Sequence, residues 1–185
     1  HIEFRHIVEP IAHFVKDKFK IKNTKFHDFV FNNGELTNKE IRGGLIFYGK
    51  GSCSSCHSGA MFSDQNFHTV HYNQAGFGKN GFGIDLGRFN VTHNEEDLYK
   101  FRTPPLYNVE KSFPYGHSGS VYSLTEAVEA HYNPLKYIDL DSMTDLEKIE
   151  LFRSMRSSGP EFTNVPHLDD SEIEQLISFL ETLSF

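Results

Sequence analysis

The sequence predicts a mostly α-helical domain with long irregular loops. Apolar residues recur at helical spacing in separate segments, and several of these open on a hydroxyl residue three places before a glutamate. Between them, residues 58–95 are interrupted by Gly76, Gly78, Gly81, Gly83 and Gly87, which weaken helix and strand alike. The pentapeptide Cys53-Ser54-Ser55-Cys56-His57 indicates what such a domain is built around.

Taken in order, residues 3–20 repeat Ile7, Ile11, Phe14 or Val15, and Phe19 as an amphipathic helix, with Pro10 marking a kink or the true start. Residues 26–35 carry an aromatic cluster and the turn signal Asn32-Asn33-Gly34. Thr37 with Glu40 forms a capping-box pattern; the helix behind it presents Ile41, Leu45 and Tyr48 and stops at Gly49-Lys50-Gly51. Ser123 with Glu126 opens another helix, in which Leu124, Ala127, Val128 and His131 share a face and which Pro134 ends. Residues 139–157 contain a short acidic-start helix with Leu146, Ile149, Phe152 and Met155 as packing positions. Asp169 or Asp170 caps the last helix, where Ile173, Leu176, Ile177, Leu180 and Leu183 make an apolar stripe that belongs in a core.

Length and charge narrow the function. A chain of 185 residues makes one moderate domain, or one domain and an extension. The net charge of -7 and the absence of a dense Lys/Arg stripe argue against a nucleic-acid partner. The basic residues between 16 and 25 are mixed with Asp17 and aromatics, as on a solvated helix face. No apolar run approaches the length of a membrane span. The glycine spacing does not match a phosphate-binding loop between strand and helix. There are 18 phenylalanines and no tryptophan.

The pentapeptide uses both cysteines of the chain. Two thiols at CxxC spacing can form thioethers to the two haem vinyl groups, and the adjacent imidazole of His57 can bind the iron. A redox pair of thioredoxin type would sit between a strand and a helix, whereas the segment before Cys53 reads as helix. Structural zinc would need two further ligands, which eleven histidines could supply. One covalent haem c is the expected cofactor. It places the protein in the bacterial periplasm, where a cleaved leader would leave no trace in the mature chain.

The ligand on the other face of the iron decides the chemistry. A strong protein ligand favours electron transfer, and an open position lets peroxide bind. His117, His131, Tyr132, Met61, Met143 and Met155 are candidates, and His131 shares a helical face with Leu124 and Val128. Arg88 and Arg102 are candidates for charge-assisted contacts to haem propionates.

The ordered motifs carry a family resemblance. They are Leu36-Thr37 with Glu40, Gly44-Leu45-Ile46-Phe47 leading into Cys53 to His57, and Phe62-Ser63-Asp64 with Phe67-His68. Then come Gly87-Arg88, Phe101 to Val109, and Phe113-Pro114-Tyr115-Gly116-His117-Ser118-Gly119-Ser120, followed by the helix from Leu124 to Tyr132. From residue 24 onward the chain resembles the C-terminal haem domain of the bacterial di-haem cytochrome c peroxidases and their MauG-like relatives. The resemblance implies a cytochrome c-like fold over 24–185. Residues 1–23 are then a helical extension, the remnant of a larger chain.

The resemblance also implies roles. His57 is the proximal ligand and His131 stands at the distal position, where relatives use methionine or tyrosine; Tyr132 could replace it after a small register change. Imidazole stabilises ferric iron better than thioether does, so the potential should be lower than in the methionine-ligated relatives. His117 forms part of the pocket. Backbone oxygens of Ser112 and Pro114 match a family calcium site that an asparagine of the N-terminal domain completes. The peroxidases activate peroxide at an N-terminal haem, with a tryptophan between the haems, and this chain has one attachment motif and no tryptophan. The expected function is electron transfer within or beside such a peroxidase, with a redox protein or a missing N-terminal haem domain as partner. Peroxide reduction at this haem is the alternative, and a non-catalytic docking domain is a third. The parent family often forms homodimers.

Overall fold

The computed structural model describes residues 1–72, 84–157, 159 and 167–185. In chain order these form α1 (Arg5–Lys18), α2 (Lys25–Phe31), α3 (Asn38–Tyr48), β1 (Phe67–His68), α4 (Phe89–Thr92), β2 (Phe101–Arg102), α5 (Leu124–Tyr132), α6 (Asp145–Arg156) and α7 (Asp170–Glu181). The fold is mostly helical with irregular loops, as in a cytochrome c-like haem domain. Gly76, Gly78, Gly81 and Gly83 lie outside the described residues.

Helix starts are set locally. The side chains of Thr37, Ser123 and Asp169 accept from the backbone three residues on, while Glu40, Glu126 and Glu172 return a bond to the cap. The same box at Thr24 and His27 starts α2 in the segment expected only to turn, because a histidine ring there does the work of a glutamate.

The core lies between α3 and α7. Gly43, Ile46 and Phe47 face Ile173, Leu176, Phe179 and Leu180, with Phe62, Leu106, Leu168 and Leu183 closing the cluster. The ring centroids of Phe47 and Phe179 stand 5.2 Å apart, and Phe26 meets Phe179 edge-on at 5.4 Å. A Cβ at Gly43 would fall 1.9 Å from the carbonyl oxygen of Gln175, so only glycine permits this approach.

Two helix faces differ from expectation. Leu45 and Tyr48 are exposed, since the glycine side of α3 is the one that α7 can reach. In α6, Leu146, Ile149 and Phe152 are exposed and Leu151 is buried; Glu150, next to it, accepts from the buried Tyr99 hydroxyl, which turns the helix. Helix α1 runs through Pro10 and buries none of its residues, so its apolar stripe packs on nothing among the described residues. The loops contain a short antiparallel pair, with Phe67 opposite Arg102 and His68 opposite Phe101.

Gly43→Ala should destabilise the domain by about 1–3 kcal/mol through overpacking against backbone. Gly44→Ala should be near neutral, because its Cβ would meet only the Phe179 ring, at 3.3 Å. Denaturant unfolding of the two variants checks the contrast.

Candidate haem site

The chain leaves α3 through a left-handed Ser52, and a tight turn over Cys53–Ser55 follows, held by the His57 amide donating to the Cys53 carbonyl at 2.9 Å. Cys53, Cys56 and His57 thereby line one side of a mainly apolar cavity of about 460 Å³, within the size range of cofactor sites. Helix α5 contributes Leu124, Ala127, Val128, His131 and Tyr132, and α7 contributes Leu176 and Leu180.

Both imidazoles are held neutral, with one ring nitrogen tied to a main-chain carbonyl. His57 Nδ1 lies 3.0 Å from the Phe62 carbonyl. A carbonyl only accepts, so Nδ1 carries the proton and Nε2 keeps the lone pair a metal needs. Burial, reinforced by the nearby His131, pushes the pKa of His57 down to about 4. His131 Nδ1 lies 2.7 Å from the Ala127 carbonyl one turn back, which fixes the same tautomer. Burial lowers its pKa too, against the opposing effect of that carbonyl.

The remaining candidates separate by position. Arg102 lines the cavity and donates to Gln65. His117 lines it as well, stacked 3.8 Å from the Phe101 ring with Nε2 2.9 Å from Asp85. Arg88 pairs with Asp97 at 3.1 Å and lies over the Phe67 ring, an anchoring arrangement away from the cavity lining. The Tyr132 hydroxyl donates to the Gly51 carbonyl at 3.1 Å and sits 3.8 Å from the Cys53 sulfur, beside the attachment turn. Met61 is exposed, and Met143, though buried, is not among the lining residues. Ser112 and Pro114 occupy a turn in which the Ser112 hydroxyl donates to Val109.

The alternatives to haem fit less well. Burial raises the Cys53 pKa, the reverse of an activated thiolate. Among the described residues, Cys56, Asp64 and His68 could share an ion, their ligand atoms lying within 4.8 Å of one another. That is three ligands, where structural zinc takes four. Two thiols and an imidazole at the wall of an apolar cavity, with a second, half-buried imidazole in the same lining, fit a covalent haem.

His68 entered the sequence analysis only as part of a family motif, and Val70 and Tyr72 not at all, yet the three line the cavity from one extended segment. Their period of two was the available signal.

Comparison with known proteins supplies the relationship. No protein-family model matches the chain. It is 28% identical over 181 residues to the cytochrome-c peroxidase IdrP1 of Pseudomonas sp. (strain SCT), covering 83% of this chain and 43% of that protein. It is 33% identical over 109 residues to the cytochrome c551 peroxidase of Pseudomonas aeruginosa, covering 57% of this chain and 31% of that protein. The chain is homologous to the cytochrome c peroxidase and MauG-like proteins. A crystal structure of a MauG-like protein associated with microbial copper homeostasis shares the fold, with TM-score 0.76 and 23% identity over 100% of this chain and 58% of that one. This chain spans less than half the length of the two peroxidases. The homology supports a haem cofactor. No helix among the described residues is long and apolar enough to cross a membrane.

The shifted groups predict acid sensitivity in the haem-free chain. Above pH 6.5, folded and unfolded states both hold His57 neutral. As pH falls from 6.5 towards 4, the unfolded chain takes up a proton that the folded chain refuses, and stability drops. Asp64 follows: burial pushes its pKa up, but hydrogen bonds from His68, Asn66 and Thr103 prevail and hold it at about 2, so its contribution is lost between pH 3.8 and 2. Urea midpoints of a Cys53→Ala/Cys56→Ala chain should fall across both windows, and adding His57→Gln should make the upper one shallower, with His131 and His71, whose pKa values burial also lowers, carrying the rest.

Proposed function

We propose that this chain is the haem c-bearing part of a peroxide-reducing oxidoreductase of cytochrome c peroxidase type. The observation that carries the proposal is the convergence of His57 and His131 on one apolar cavity beside the paired thiols. The peroxidase names of the curated relatives weigh towards peroxide reduction as the overall reaction, and away from a free-standing electron carrier. In that reaction hydrogen peroxide takes up two electrons and two protons and yields two molecules of water.

Cys53 and Cys56 would hold the haem through thioethers, and His57 and His131 would bind its iron through Nε2. A haem so bound supplies one-electron chemistry. The protein's own residues orient both imidazoles, keep water from the buried face and tune the potential through ligand identity. With His57 and His131 both holding it, the group would supply electron relay to a peroxide site outside these residues; without His131, the cavity would leave room for peroxide instead. Residues 1–23, whose helix buries nothing, would form an extension separate from the haem domain of 24–185. The partner is another redox protein, and the compartment is the periplasm, where haem c is assembled.

Ferric and reduced absorption spectra with haem stoichiometry test the assignment. One low-spin haem in both states is expected, and His131→Ala should convert it to a high-spin form open to added ligands. An unchanged His131→Ala spectrum removes the residue from the iron. A high-spin reduced parent would move peroxide binding to this haem. Cys53→Ala/Cys56→Ala should abolish haem that survives a denaturing gel. Peroxide-dependent oxidation of a reduced cytochrome by the full protein checks the overall reaction.

A further inference from the structure

Tyr72 is a partly buried polar residue in the cavity lining. Its hydroxyl donates to the Ala127 carbonyl at 2.8 Å and lies 3.2 Å from His131 Nδ1. The two rings meet edge-on, with centroids 5.8 Å apart and an interplanar angle of 86°. The tyrosine ring also rests on Gly116, a left-handed residue where a Cβ would come within 3.1 Å of it. The ring thus touches both the glycine and the histidine.

The proton positions follow from the acceptors. The Ala127 carbonyl can only accept, so it takes both the Tyr72 hydroxyl proton and the His131 Nδ1 proton. The tyrosine oxygen, its proton committed to the carbonyl, remains free to accept a share of Nδ1–H at 3.2 Å. Were Nδ1 unprotonated, its lone pair would face the carbonyl oxygen at 2.7 Å, an unfavourable contact. The triangle of hydroxyl, carbonyl and imidazole therefore locks both the tautomer and the ring plane of His131.

We propose that Tyr72 is a positioning residue for His131, holding that imidazole in the orientation that keeps Nε2 on the haem iron against competing ligands. This rests on the assignment of His131 as an iron ligand. Tyr72 touches neither iron nor substrate in this role; it acts through the histidine. A hydrogen bond from outside the ring is the usual way a protein fixes a metal-bound imidazole, and it governs how readily that ligand is displaced.

The test is a double-mutant cycle on the haem-loaded protein, read by titrating the ferric form with imidazole and with cyanide. Tyr72→Phe keeps the ring on Gly116 and removes only the hydroxyl. It should retain covalent haem and the helical circular-dichroism spectrum while tightening exogenous-ligand binding about fivefold, the equivalent of one ordinary hydrogen bond. In a His131→Ala background the same change should have no effect. Tyr72→Phe affinities equal to the parent's, or a gain that persists without His131, would overturn the proposal and leave the ligand assignment standing. A His131→Ala protein that binds exogenous ligands no better than the parent would overturn the ligand assignment and the proposal with it. Should Tyr72→Phe fail to load haem, NMR of the parent with labelled histidine decides. An Nδ1 proton on His131 protected from exchange supports the clamp, and an unprotonated or freely exchanging Nδ1 refutes it.

Discussion

At Gly43 the carbonyl oxygen of Gln175 occupies the space a side chain would need, so α3 and α7 meet with backbone against backbone. That approach lets Phe47 and Phe179 pack with their rings 5.2 Å apart, and it fixes where α3 ends. The attachment turn begins five residues after that end, so the crossing sets the position of Cys53, Cys56 and His57. Helix α5 is referenced to the same partner, since Leu124, Val128 and Tyr132 pack against the cluster that contains Leu176 and Leu180. The two histidine-bearing segments are thus registered to each other through α7, although neither is continuous with it.

What could be read in advance was whatever depends on neighbours in the chain. The capping boxes at Thr37, Ser123 and Asp169 form as their spacing requires, and the α7 stripe is buried at Ile173, Leu176, Leu180 and Leu183. Misreadings arose where a distant contact chose between two plausible faces. In α3 the residues Leu45 and Tyr48 have helical spacing but lie away from Gly43, and the close approach of α7 decided the matter. In α6 the series Leu146, Ile149 and Phe152 has helical spacing too, yet the partner of Glu150 lies 51 residues away at Tyr99.

The candidate site divides in the same way. Cys53, Cys56 and His57 stand together in the sequence, so their shared place on the cavity wall could be read without any distant contact. His131 was visible on the face of α5 that lines the cavity, but Tyr72 was not, since its partner is 59 residues away and its segment has only a faint period of two. Arg88 illustrates the converse. Its place after a glycine suggested an anion contact, while the fold gives its guanidinium to Asp97 and Phe67.

The groups that hold the imidazoles are main-chain carbonyls: Phe62 for His57 and Ala127 for His131, with Gly51 doing the same for Tyr132. A carbonyl is present whatever residue supplies it. Side chains at 62 and 127 can therefore drift during evolution, within the limits of packing, without releasing either imidazole. A comparison of residue letters would register that drift as divergence while the hydrogen-bonding frame around the cavity stayed the same.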